Sequence, residues 1–131
     1  KVYTKPVDLA YYDGTRWNVT EIKAGGDLDS SNAPSNIDKL LTIYAGLNVD
    51  DAYAYFSTLY NKNGEGNNWT GCLKKYFGYP KMFKIGSQFW NDILPFNITF
   101  DSFVDIYKDA LYELNLEEEM KELIRKAKEI L

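Results

Sequence analysis

Two acids and a lysine stand where they can share one site. Asp8 is followed, after twelve intervening residues, by Glu21-Ile22-Lys23. The connecting run LAYYDGTRWNVT carries Asp13-Gly14-Thr15-Arg16, a hairpin turn signal between two runs of strand formers. A two-residue turn at Gly14-Thr15 and a four-residue loop over 13–16 give the same register: Tyr12 opposite Trp17, Ala10 opposite Val19, Asp8 opposite Glu21. Side chains alternate along a strand, so Lys23 shares the face of Glu21. Opposed residues have Cβ atoms about 4.5–5.5 Å apart. Two carboxylates held that close repel, and one is driven neutral unless a cation compensates. A divalent cation between them, with the lysine beside it, answers that need. The plain alternative is three solvent-facing charges on a half-exposed hairpin, and the spacing alone does not decide between them.

The elements that must hold these residues follow from periodicity. Residues 7–12 and 17–23 read as strands, with Val7, Leu9, Thr20 and Ile22 expected on the core side. Residues 24–33 read as a loop. A helix is expected from a Ser35 cap with Asp38 three residues on, its apolar face Ile37, Leu40, Leu41 and Tyr44, ending at Gly46. Residues 52–60 are expected as a strand, 61–69 as a polar loop, 72–77 as a short helix, 82–85 as an extended piece and 88–93 as a helical turn or two. Residues 101–114 and 116–131 are the strongest helical stretches. In the last, Leu116, Met120, Leu123, Ala127 and Leu131 form one apolar stripe beside the i,i+4 pairs Glu117–Lys121 and Glu122–Lys126. The order predicts an α/β sheet with C-terminal helices. We read 1–131 as a single-domain fragment: hairpin, helix and strand over 1–60, then a loop and helical part over 61–131.

Composition bounds the chemistry. The 131 residues, 45% apolar and 26% charged, suit one globular domain. There is no apolar run of membrane-spanning length and no cationic leader, so a cytoplasmic location is expected. The N-x-S/T triplets at Asn18, Asn68 and Asn97 then read as chance. With one cysteine, Cys72, and no histidine, a metal must be held by oxygens, which favours Mg²⁺ or another hard cation. The chain opens at Lys1 almost directly into an extended segment, which reads as the middle of a protein whose first elements are missing.

Further candidates carry two readings each. Gly25 and Gly26 let a backbone approach a phosphodiester, or simply end a strand. Asp27, Asp29 and Asn32 suit metal or DNA, but loop Asp and Asn more often form turns. Lys39 reaches a phosphate or is merely solvated. The net charge of −4 opposes DNA binding by bulk charge. Five lysines (62, 74, 75, 81 and 84) nevertheless face a single acid, Glu65, between residues 62 and 84. That is a basic stripe or a scattered solvated face. Asn61, Lys62 and Asn63 belong to a loop with groups able to read base edges, or to an ordinary turn. Lys74 and Lys75 are phosphate-contact candidates, whereas Phe89, Trp90 and the tyrosines of 53–60 read as packing.

Pro6-Val7-Asp8 followed by Glu21-Ile22-Lys23 on a hairpin resembles the signature of the PD-(D/E)xK nucleases, with Val7 as one inserted residue. EIKAGGDLDSSNA, FSTLYNKNGEG and IGSQFWNDI, in that order, are similar to type II restriction endonucleases of the Tde/Sau type, which cut GGNCC-like sites. The resemblance runs from Lys1 to about Tyr112. It implies a restriction-endonuclease-like mixed sheet core and site-specific cleavage of double-stranded DNA by a homodimer. It also implies Mg²⁺ on Asp8 and Glu21, with Lys23 orienting the attacking water or stabilising developing charge. Two rivals stay open: a repair or junction-resolving nuclease of the same superfamily, and a non-enzymatic module for a carbohydrate or protein ligand, which the acidic balance and 21 aromatics would suit.

Overall fold

The computed structural model describes residues 6–47, 52–78 and 81–130. It contains β1 (Leu9–Tyr12), β2 (Trp17–Lys23), α1 (Asn32–Gly46), β3 (Ala52–Thr58), α2 (Cys72–Tyr76), β4 (Phe83–Ile85), α3 (Ser87–Ile93), α4 (Phe100–Glu113) and α5 (Leu116–Ile130). The four strands form one mixed sheet in the order β1-β2-β3-β4. β1 is antiparallel to β2, while β2, β3 and β4 run parallel. This is the α/β architecture expected, a mixed sheet with C-terminal helices.

The hairpin turn is fixed by side-chain chemistry. Asp13 Oδ1 accepts from the N–H groups of Thr15 and Arg16 at 2.8 and 2.9 Å, and Oδ2 accepts from the Asn18 amide at 2.8 Å. Gly14 takes φ +95°, which an L side chain rarely adopts. The resulting register pairs Tyr12 with Trp17, Ala10 with Val19 and Leu9 with Thr20, as the turn predicts. Asn18, in one of the N-x-S/T triplets, has its amide tied into this turn and is buried.

The core lies on the other side of β2 from the one expected. Val19 of β2, Ala54 and Phe56 of β3, and Phe83 and Ile85 of β4 pack with Leu40 and Ile43 of α1 and with Trp69, Leu73 and Phe77. The expectation placed the Thr20 and Ile22 face inward because it took β2 for a half-exposed strand. β2 instead lies inside the sheet and is buried on both faces over 18–21. Such strands lose the alternation that tells one face from the other. On the second face Thr20 bonds Ser57 at 2.8 Å, Tyr11 bonds Tyr55 at 3.0 Å, and Lys84 pairs with Asp92.

α1 starts at Asn32, earlier than Ser35. Asp29 Oδ1 accepts from the N–H groups of Ser31 and Asn32, at 3.0 and 2.7 Å, satisfying donors at the helix start. Ser35 lies inside the helix, its hydroxyl donating to the Asn32 carbonyl. The buried face is Ala33, Leu40 and Ile43, with Ile37 half-buried. Leu41 and Tyr44, expected on it, are exposed.

The chain divides into two compact units, 1–92 and 93–131. The first holds the sheet and α1–α2; residues 61–92 belong with it because β4 pairs with β3. The second holds α4, opened by a Thr99–Ser102 capping box, and α5. In α5 the pairs Glu117–Lys121 and Glu122–Lys126 form as expected, at 2.8 and 3.6 Å. Leu116, Met120 and Leu123 are exposed, and Leu131 of that stripe lies outside the described residues. Among the described residues no helix is long and apolar enough to cross a membrane.

Candidate active site

β1 begins at Leu9, two residues later than the sequence suggests, and Asp8 sits in a bend just before it. The ladder stops there because the Asp8 side chain takes over: Oδ2 accepts the Ile22 N–H at 2.8 Å. The Asp8 carboxylate is thereby docked on the peptide that joins Glu21 to Ile22. Asp8 itself is exposed.

Glu21 is the deepest charged group of the set. It is 5% exposed and lies on the core face of β2, level with Phe56 of β3. Its two oxygens meet different ammonium groups: Oε1 lies 3.2 Å from Lys23 Nζ, and Oε2 lies 2.5 Å from Lys39 Nζ on α1. Removing a carboxylate from water is costly unless cations and donors replace the solvent, and two lysines do so here. Lys23 and Lys39 are both more exposed than Glu21. Level with Lys23 on β3, the Thr58 hydroxyl is fully buried and has no hydrogen-bond partner among the described residues.

These donors suit a hard cation. The Glu21 and Asp8 side chains offer only oxygens, and the chain has no histidine. Among the described residues no three His, Cys, Asp or Glu side chains converge on one point. A Mg²⁺ ion, which usually keeps several waters and binds through one or two carboxylates, fits that set.

The remaining candidates fall elsewhere in the first unit. Gly25 is buried under the Tyr60 ring, where a Cβ would lie 2.3 Å from Cε2, whereas Gly26 is open. Asp27 accepts from the Cys72 and Leu73 N–H groups at the start of α2 and pairs with Lys62 at 3.4 Å. Burial raises its pKa, but the hydrogen bonds from Leu73 and Cys72, with Lys62 nearby, outweigh this and hold the carboxyl below its ordinary value. Asp29 and Asn32 bond each other at the start of α1. Asn61 is buried and donates to the Asn67 carbonyl, while Asn63 donates to the Asn68 carbonyl. The asparagine loop thus spends these side chains on its own closure. Lys62 lies over the Trp69 ring, Lys74 bonds the Asn68 side chain, and Lys75 lies near the Tyr76 ring. Phe89 is buried, and Trp90 donates to the Leu59 carbonyl.

Sequence reasoning did not foresee the Lys39–Glu21 contact. The available signal was the phase of α1: Lys39 flanks the stripe of Ile37, Leu40 and Ile43 that faces the sheet. Compared with known families, residues 1–110 match the model described as type II restriction endonuclease, HinfI. No curated protein and no solved structure matches the chain.

Proposed function

The chain belongs to the HinfI family of type II restriction endonucleases, and on that premise we propose that it hydrolyses phosphodiester bonds of double-stranded DNA at a short specific sequence, with Mg²⁺, as a homodimer. Asp8, Glu21 and Lys23 are the catalytic residues in this reading, and Asp8 and Glu21 hold the metal. The observation that carries it is the buried Glu21 carboxylate bracketed by two lysines, with the Asp8 carboxylate docked on the adjoining peptide.

Bound there, Mg²⁺ would polarise the scissile phosphate and lower the pKa of a coordinated water. The protein's own groups do the positioning. Asp8 is oriented by the Ile22 N–H and Glu21 by its lysines, so neither carboxylate has to be ordered when substrate arrives. Lys23, the more exposed of the two lysines, is placed to turn toward the scissile group, orient the attacking water and offset charge growing on the phosphate. The chemistry requires no imidazole, in keeping with a chain that has no histidine.

Phosphate contacts fall to Lys62, Lys74 and Lys75, with Asn61 and Asn63 of the same polar loop and Asn32 at the start of α1 as further polar groups. Asn61 and Asn63 would have to leave their loop bonds to reach a base edge. The test is incubation of the protein with plasmid DNA and Mg²⁺, followed by sequencing of the ends. Cuts at one fixed short sequence support a restriction activity, and a GGNCC-like site is the first to check. Cuts without sequence preference, or at branched junctions only, overturn it.

A further inference from the structure

We propose that Lys39 is a positioning residue that holds the Glu21 carboxylate when no divalent cation is bound and competes with that cation for it. The proposal rests on reading Glu21 as a metal ligand.

The two lysines on Glu21 are not equivalent. Lys23 comes from the same strand, two residues on, and its side chain is 39% exposed. Lys39 arrives from α1, its side chain is 25% exposed, and its neighbour Leu40 is fixed in the core. Lys39 also makes the closer contact, 2.5 Å against 3.2 Å. A lysine so placed keeps the carboxylate in one rotamer before any metal or DNA arrives. Lysines engage both Glu21 oxygens, Lys39 on Oε2 and Lys23 on Oε1, so a cation taking Oε2 would have to displace Lys39, because an ammonium and a divalent cation repel each other at one oxygen. Lys39 therefore lowers metal affinity while keeping the ligand in place. Its ammonium is directed at Glu21, which distinguishes this role from a contact to the DNA backbone.

The experiment uses the full chain stripped of metal, with Mn²⁺ alone as the probe, titrated calorimetrically without DNA. Lys39→Met keeps the aliphatic stem and removes the charge, whereas Lys39→Arg keeps the charge. The Met variant is expected to bind Mn²⁺ more tightly, by on the order of tenfold, and the Arg variant to stay near wild type. In chelator the Met variant should melt at lower temperature than wild type, and added Mn²⁺ should narrow the gap. Unchanged or weaker Mn²⁺ binding by Lys39→Met overturns the proposal. So does a loss of DNA affinity in Ca²⁺ with a shallower salt dependence, which would mark Lys39 as a phosphate contact. Glu21→Gln separates the two levels. If it loses Mn²⁺ binding while Lys39→Met is unchanged, only the Lys39 role falls. If Glu21→Gln binds Mn²⁺ like wild type, Glu21 is no ligand and both readings fall.

Discussion

A carboxylate set as deep as Glu21 depends on the cations around it, and those cations differ in how far the sequence reveals them. Asp8, Glu21 and Lys23 could be singled out because a hairpin is local: its turn alone determines the pairing from Tyr12–Trp17 to Leu9–Thr20. Past Leu9 that logic gives out, because Asp8 leaves the strand to accept the Ile22 N–H. Lys39 stood out only as a phosphate candidate: the phase of α1 turns it toward the sheet, but which group it meets depends on how the helix docks across 18 residues of chain. The turn itself yields a prediction. Hydrogen bonds from Arg16, Asn18 and Thr15 hold the Asp13 carboxyl at about 2, below its ordinary 3.8. A depressed folded-state pKa gives stability that is present above the ordinary value and lost as pH falls toward the folded one. Wild type should therefore melt above Asp13→Ala at pH 6, and the difference should close between about pH 4 and pH 2. Thermal melts of both proteins across that range check it.

Among the elements, those with strong periodicity or sharp punctuation were legible to within a residue or two. β2, α2, α3, α4 and α5 fall close to where pattern and turn residues put them. α1 was shortened in the reading because its start is specified by Asp29, a loop residue whose carboxylate reaches forward to Ser31 and Asn32. The core face of β2 was misread because period-2 reasoning presumes one wet face. The second face is dry but polar, built on Thr20–Ser57 and Tyr11–Tyr55, and burial pushes the Tyr55 hydroxyl well above its usual range. α1 both covers the core and carries Lys39, so its docking matters to site and stability together. Leu40 is 1% exposed at its centre. Leu40→Ala should cost about 2–5 kcal/mol in denaturant unfolding. It should also weaken the Glu21–Lys39 contact by loosening the helix. A loss below about 1 kcal/mol would mean that α1 is not the principal cover of the sheet.

At the scale of the whole chain the charges are segregated. Past residue 100 nine acids face five bases, which accounts for the entire net charge of −4, so the unit carrying the candidate site is neutral overall. Within it the lysines of 62–84 are the local positive surplus. Phosphate contacts supply much of DNA affinity, and each one lost makes the salt dependence shallower by about one unit of slope. Lys75→Ala should therefore weaken binding to all sequences alike, with that change of slope. An unaltered slope would place the DNA path elsewhere. The type II restriction endonuclease class was legible in the order of motifs along the chain, although the family that matches is HinfI and not the Tde/Sau type those motifs suggested; the charge division between units became interpretable only once their boundary was known. The central claim, that Asp8, Glu21 and Lys23 form a metal-dependent hydrolytic site, is tested most directly at Glu21. Glu21→Gln keeps the shape and removes the charge. Cleavage is measured in Mg²⁺, and DNA binding is measured separately in Ca²⁺, which occupies an oxygen site without necessarily supporting chemistry. The account predicts that cleavage falls by at least about a hundredfold while DNA affinity stays close to wild type. Cleavage at the wild-type rate would contradict it.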